Sequence, residues 1–373
     1  MCSEHSSHHL TNTIALAEHG SGSVSPNPMV GAIVVKNDTV IATGYHSAYG
    51  GLHAEAVALD RAGPAARGST LYCNLEPCSY TAPQKHQPPC TRRIVAAGVK
   101  RVVIGQLDPN PRVRGDGVAQ LRRAGIEVVI AQRSERFWRL NDAFNTWMAL
   151  RHPLVHLVAA LQPDHSIDTS GQTALLNAAT PTRAYIDRAK TGRDAIAIGV
   201  EAVTTDTRSL VQALDDNATR TVVFDRRLQT PVDCELVSML GDRLVIVGEE
   251  GFDQADRWRH LDAHGAAVCT TERSDDDAAW YGKAFAAVAS KGITSLLIVA
   301  GEQLITALLK RTCFDRVSLF VDRTAIGVEG RAQLERALQI ETVQPQRIGD
   351  RYLLDSYHRS WLPRVTASVG GGA

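Results

Sequence analysis

HAEAVALDRAGPAARGSTLYCNLEPCSYTAPQKHQPPCTRRIVAAGVKRVVIGQ, residues 53 to 106, alternates helical and strand-like patterns. It opens on a helical pattern, HAEAVALDRAG (53 to 63), and passes into a strand-like run, STLYCNL (69 to 75). It returns to helix at CTRRIVAAG (90 to 98) and ends in a second strand, KRVVIGQ (100 to 106). Apolar residues near a 3.6-residue period mark the helices, and short apolar runs bounded by Gly and Pro mark the strands. Helices that alternate with short strands cover the faces of a sheet, so this stretch predicts a three-layer α/β domain.

Upstream, MVGAIVVK (29 to 36) and TVIATGY (39 to 45) flank Asn37-Asp38 and read as a β-hairpin that opens the sheet. Downstream come a helix, GVAQLRRAG (117 to 125), a strand, IEVVIA (126 to 131), and a helix from Ser134 to Leu150. Proline then stops the helix at Arg151-His152-Pro153, ahead of a strand LVHLVAAL (154 to 161). The first domain is accordingly expected at 1–148 and a second α/β domain at 149–366. Strands of the second domain are expected at 194–200, 220–225, 243–248, 295–301 and 316–322. The acidic segment TTERSDDDAAW (270 to 280) reads as a solvated loop, and residues 367–373 and the His5, His8 and His9 cluster read as disordered tails.

The 373-residue chain is 44% hydrophobic and 21% charged, enough apolar material for about two domains. Lys plus Arg and Asp plus Glu are equal at 40 each, so the broad positive field that gathers nucleic acid is missing and no nucleic-acid partner is expected. With no apolar run long enough for a bilayer and a polar start, MCSEHSSHHL, the expectations are no membrane partner and a cytoplasmic location. Seven cysteines, an odd number, argue against a disulfide framework and for metal binding.

His53-Ala54-Glu55 opens one predicted helix; Glu76-Pro77-Cys78 follows the next strand, and Pro88-Pro89-Cys90 opens the following helix. One His and two Cys, each just after a strand, converge at one sheet edge. Imidazole and thiolate suit Zn2+, and three protein ligands leave a fourth position for water. Glu55, two residues from His53, stands where a base would take the water proton and pass it to a leaving nitrogen. The layout is recognised as that of the zinc deaminases, in which the Glu is not a ligand. A closed structural zinc or a pair of buried thiols is the competing reading; it lacks a fourth ligand, since Cys73 sits in an apolar strand and reads as core.

Several long segments carry a resemblance to one family. SPNPMVGAIVV (25 to 35), GYHSAYGGLHAEAVAL (44 to 59), ARGSTLYCNLEPCS (66 to 79) and the run from Pro88 to Val128 resemble the deaminase half of the bifunctional riboflavin-biosynthesis deaminase/reductase family. The resemblance implies a cytidine-deaminase-like domain followed by a dihydrofolate-reductase-like one. It implies deamination of a diaminopyrimidinone bearing a phosphoribosylamino group, with Asn27, His46, Asp108 and Asn110 lining the substrate side. Gly31 and Gly44 read as serving the backbone. Cys78 and Cys90 enclose eleven residues, SYTAPQKHQPP, where the family has about eight. Lys85 and His86 of that loop are candidates to replace the family's paired histidines.

Residues 153 to about 362 resemble the NADPH-dependent reductase half, yet depart from it at its working positions. Val158 and His165 stand for the family's lysine and glycine, while Asp164 is kept. Leu175-Leu176-Asn177 stands for Trp-Ile-Thr, and DTRSLV (206 to 211) keeps only Asp206 and Leu210 of another element. AGEQ (300 to 303) puts Gly301-Glu302 where the family has paired glycines, and with them a negative charge where a dinucleotide phosphate would approach. The expectation is a degenerate reductase serving as scaffold or dimerisation module, with NADPH binding doubtful and a homo-oligomer formed through the second domain. Three other readings stay open: a fully bifunctional enzyme, a relative that diverts the same pyrimidine to a flavin-like or azapteridine product, and a zinc-stabilised binding module. A nucleic-acid base deaminase would show a short Cys-x-x-Cys and a basic groove, and neither is present.

Overall fold

A computed structural model describes residues 4–81, 87–111, 113–131, 135–162, 164, 166–168, 175, 181–205, 210, 214, 219–251, 255–322, 328–341 and 344–367. The chain forms two compact units, Met1–Arg151 with Leu362–Ala373, and His152–Trp361.

The first unit holds a five-stranded sheet in the order β2-β1-β3-β4-β5. β1 (Gly31–Lys36) and β2 (Thr39–Tyr45) form the expected hairpin. Asn37 and Asp38 at its turn both have positive φ, 50° and 57°, the backbone that a two-residue turn between right-twisted strands requires and that Asn and Asp tolerate. β1 pairs antiparallel with β3 (Thr70–Leu75), which is followed in parallel by β4 (Arg101–Gln106) and β5 (Glu127–Ile130). Alternation along the strands splits their side chains between two cores. Ala32, Val34, Leu71, Cys73, Val102 and Ile104 pack with Ala58 of α2 (Ala54–Ala62), Ile94 of α3 (Cys90–Ala96) and Leu121 of α4 (Asp116–Arg123). Ile33, Val35, Tyr72 and Val103 pack on the other face with Leu10 of α1 (Glu4–Glu18) and Phe137 of α5 (Glu135–Leu140). The result is the three-layer domain expected.

Helix α1 replaces the tail expected around His5, His8 and His9. It is held because Gly31 lets it lie against β1: a Cβ there would fall 2.3 Å from Thr13 O. The helix expected from Ser134 to Leu150 is instead two, α5 and α6 (Asp142–Leu150), broken at Asn141. That residue turns its amide to the backbone of Met29, accepting from Met29 N at 2.8 Å and donating to Met29 O at 2.9 Å.

The second unit is a nine-stranded sheet, β10-β9-β8-β7-β11-β6-β12-β14-β13. β6 (Leu154–Leu161), β7 (Ala195–Gly199), β8 (Arg220–Phe224), β9 (Leu244–Glu249), β10 (Ala267–Thr271), β11 (Ser295–Ala300) and β12 (Arg316–Val321) are parallel. β14 (Arg351–Tyr357) runs antiparallel to β12 and to β13 (Gln346–Ile348). Both faces are covered by apolar cores, as a parallel sheet demands. The acidic segment 270–280 is largely not a loop. Thr270 and Thr271 end β10, and Asp276 caps the helix Asp277–Ser290 by accepting from Ala279 N at 2.9 Å. Carboxylates at a helix N-terminus are favourable, which is why an acidic run can start a helix. Of the tail expected at 367–373, Ala367 closes the helix Trp361–Ala367, and the remainder lies outside the described residues. Among the described residues, no helix is long and apolar enough to cross a membrane.

Gly44 shows how tightly α2 sits on β2. A Cβ at that position would fall 2.5 Å from Ala54 O and 2.6 Å from Ala58 N, so Gly44→Ala should lower stability by about 1–3 kcal/mol through overpacking. Gly282, exposed in a helix with nothing near its Cβ position, should gain about 0.5–1 kcal/mol as Ala. Denaturant midpoints of the two variants should move in opposite directions; a Gly44→Ala midpoint at or above that of wild type would contradict the packing described for α2.

Candidate metal and catalytic site

The site forms where β3 ends and two helices begin. His53 precedes α2 in extended conformation, Cys78 lies three residues beyond β3, and Cys90 is the first residue of α3. Their ligand atoms all lie within 4.8 Å of one another. His53 Nδ1 is 3.5 Å from Cys78 Sγ and 3.4 Å from Cys90 Sγ. Sulfur at about 2.3 Å and nitrogen at about 2.0 Å from one ion, at the tetrahedral angle, would be about 3.5 Å apart, so the three fit zinc with its fourth position open. The backbone amide of Cys90 donates to Cys78 Sγ at 3.3 Å, which favours a thiolate there. Contact with Cys78, and then burial, pushes the Cys90 thiol well above its ordinary range. Two sulfurs this close call for a cation. Cys73 stays apart: it is fully buried in the core, and burial pushes its thiol up.

Glu55, in the first turn of α2, is 3% exposed and lines the same cavity of about 530 Å³ as His53 and Cys78. Burial raises its carboxyl above the ordinary range, against an opposing pull from His53. Asn27, His46, Asp108 and Asn110 line that cavity too. His46 Nδ1 lies 2.9 Å from Leu52 O, so that nitrogen donates; Nε2 is left to accept from Asn27 Nδ2 at 3.1 Å. Burial lowers the His46 pKa and keeps the ring neutral, consistent with this tautomer. Asp108 Oδ1 accepts from Asn110 N at 2.9 Å. Burial pushes its carboxyl up from 3.8 to about 6. Lys85 and His86, the loop residues singled out from the sequence, lie outside the described residues.

Three polar residues that sequence reasoning gave no role hold the site in shape. Glu76, 4% exposed, accepts from the amides of Asp108 (3.1 Å), Gly115 (3.0 Å) and Val118 (3.2 Å). One carboxylate thus ties the end of β3 to the loop carrying Asp108 and Asn110 and to the start of α4. Asn74, in β3, accepts from Gly31 N at 2.8 Å and donates to Met29 O at 3.0 Å. With Asn141 it pins the backbone two residues beyond Asn27. Phe144, Trp147 and Met148 of α6 add an apolar wall to the cavity. Their partners are far away in sequence, so only the Glu-Pro-Cys placement of Glu76 offered any local signal.

Comparison with known proteins agrees with this geometry. The model of the cytidine and deoxycytidylate deaminase zinc-binding region matches residues 3–106, and that of the RibD C-terminal domain matches residues 158–354. The riboflavin biosynthesis protein RibD of Actinobacillus pleuropneumoniae is 31% identical over 360 residues, covering 93% of this chain and 94% of its own. The diaminohydroxyphosphoribosylamino-pyrimidine deaminase of Buchnera aphidicola subsp. Schizaphis graminum is 43% identical over 136 residues, 36% of this chain and 90% of its own. The structure of Acinetobacter baumannii RibD, form 1, superposes with a TM-score of 0.76 at 27% identity, covering 95% of this chain and 99% of that one.

The buried Asp108 carboxyl gives the metal-free protein a pH signature. Its pKa is raised on folding, so its contribution to stability is fully present below pH 3.8 and is lost as pH rises through about 6. Asp108→Asn cannot ionise and can still accept from Asn110 N. In urea melts of metal-free protein the variant should be more stable than wild type above pH 6, by about 1–3 kcal/mol. The difference should close near pH 4; one that stays constant with pH would contradict a raised Asp108 pKa.

Proposed function

The chain belongs to the RibD family of riboflavin biosynthesis proteins, its first unit a deaminase, and we propose that His53, Cys78 and Cys90 hold zinc while Glu55 moves the protons of the hydrolysis. The substrate of this reading is a diaminopyrimidinone bearing a phosphoribosylamino group, and the products are the ring carbonyl and ammonia. One observation carries it: an imidazole and two sulfurs lie within 4.8 Å of one another, and the imidazole and Cys78 line a cavity with a buried carboxyl that is not part of the ligand group.

Zinc held by His53, Cys78 and Cys90 would supply a Lewis acid that makes a proton of the attacking water easier to remove. Glu55 takes the proton of the attacking water and returns it to the departing amino nitrogen. Its raised pKa matches that double task, because a carboxylate with a pKa nearer neutrality is the better base and its acid form persists long enough to donate. Asn27 is held against neutral His46, which fixes the orientation of its amide and presents the remaining amide hydrogen and Oδ1 to a pyrimidine edge. Asp108 and Asn110, set by Glu76, face the ring's other polar groups, and Phe144 and Trp147 exclude water from its apolar side.

For the second unit we propose a scaffold and self-association role without NADPH turnover, in a protein working on a small molecule rather than on nucleic acid or membrane. Support comes from Val158, fully buried in β6 where the resemblance implies a lysine. Of the other departures, His165, Leu176, Asn177 and Asp206 lie outside the described residues. The match to the RibD C-terminal domain over residues 158–354 favours a second reading, a fully bifunctional enzyme.

Ammonia release and NADPH oxidation, followed together on zinc-loaded protein with the phosphoribosylated diaminopyrimidinone, separate these readings. Ammonia without NADPH oxidation is the expected outcome; oxidation would establish the bifunctional reading. In the same assay Glu55→Gln should keep one zinc per chain and lose about 10²- to 10⁴-fold in kcat, whereas Cys90→Ala should lose the zinc itself. A near wild-type rate for Glu55→Gln would remove the proton-shuttle assignment.

A further inference from the structure

In the second unit the direction of winding reverses between β7 and β11. From β7 the chain steps outward through β8, β9 and β10; from β11, seated between β7 and β6, it crosses β6 to reach β12. Right-handed crossovers in opposite directions put the following helices on opposite faces. Accordingly, Val203 of the helix Val200–Thr205 lies in one core, and Leu304 and Leu308 of the helix Glu302–Lys310 lie in the other. In an open α/β sheet, the crevice outside the carboxyl ends of two such strands is where ligands bind. A helix N-terminus beside it, with unbonded amides and a partial positive charge, favours a phosphate group.

This crevice already contains an anion, and the chain supplies it. Glu201 Oε1 accepts from Leu304 N, an amide of the first turn of the helix Glu302–Lys310, at 2.9 Å. Gly199 closes β7 and Gly301 follows β11. A Cβ on Gly199 would fall 2.4 Å from Glu201 Oε2, and one on Gly301 would fall 2.8 Å from Glu201 Oε1. The carboxylate therefore lies directly over both glycines, filling the space that their missing side chains leave, and Gly301 has φ 99°. The sequence pointed to Glu302 as the obstructing charge; the group that enters the niche is Glu201.

We propose that Glu201 is a built-in occupant of the phosphate niche between β7 and β11 and a specificity-determining residue that keeps dinucleotide phosphates out of the second unit. This rests on the reading of that unit as reductase-like without NADPH turnover. A phosphate oxygen bonded to Leu304 N would have to take the position of Glu201 Oε1, and two anions cannot share one amide at such distance without strong repulsion. Because Glu201 is tethered two residues from Gly199, it competes at a high effective concentration against any free anion.

The test uses full-length wild type and Glu201→Ala, with thermal melts in sodium phosphate and in sodium chloride at equal ionic strength and titration with inorganic phosphate. Removing the carboxylate should lower the melting temperature in chloride. Phosphate should restore it, and should bind the variant about ten-fold or more tightly than wild type. Equal phosphate responses in the two proteins would overturn the proposal. If Glu201→Ala does not fold, Glu201→Gln, which keeps an acceptor and loses the charge, is read the same way: gained phosphate binding supports the proposal and none overturns it. NADPH oxidation by wild type would overturn the underlying reading of the unit, an outcome separate from the phosphate comparison.

Discussion

Two cysteine sulfurs and an imidazole nitrogen held within 4.8 Å of one another are poor neighbours unless a cation joins them, and the first unit is arranged to keep them there. Contact between the sulfurs, added to burial, makes loss of the Cys90 proton unfavourable without a metal. The fold imposes the proximity from the backbone. β3 delivers Cys78, His53 directly precedes α2 and Cys90 begins α3, so each ligand sits at a junction fixed by the sheet. Glu76 then fastens the loop carrying Asp108 and Asn110 and the start of α4 to the same junction through three backbone amides. Buried carboxylates are tolerated when hydrogen bonds replace their water, and Glu76 exchanges water for those amides.

How much of this was legible in the sequence follows from the range of the interactions. His53, Glu55, Cys78 and Cys90 could be read because each marks a local event, a helix start or a strand end, and alternation of helices and strands brings such events to one edge. The hairpin was equally local, set by Asn37-Asp38. Glu76, Asn74 and Asn141 could not be read, since their partners lie 32 to 42, 43 to 45 and 112 residues away. At the break between α5 and α6 the apolar pattern runs on through Asn141, whose amide is taken up by the backbone of Met29, while Asn145 Nδ2 donates to Trp138 O at 2.7 Å across the break. Composition misled at 270–280, where acidic residues signalled solvent although Asp276 was a cap, and at the N-terminus, where histidines masked a helix that packs through Leu10.

In the second unit, β6, β7, β8, β9, β11 and β12 were legible with ends displaced by only a residue or so, because parallel strands buried on both faces must be apolar throughout, whereas β10, β13 and β14, with more polar sequences, were not read as strands. Its polar chemistry was less legible. Glu302 drew attention from its place beside Gly301, while Glu201, a hundred residues earlier, reaches the same crevice through folding alone. A sheet can keep its core while one side chain changes what its crevice accepts, since packing is spread over many residues and anion recognition over few.

X-ray absorption at the zinc edge of the purified protein measures directly the shell of two sulfurs and one nitrogen that His53, Cys78 and Cys90 would form around the metal. Two sulfurs at ~2.3 Å, one nitrogen at ~2.0 Å and one further light atom are expected. A shell of three or four sulfurs would mean that another cysteine closes the site and that it is structural. Zinc bound without any sulfur would mean that the metal sits elsewhere.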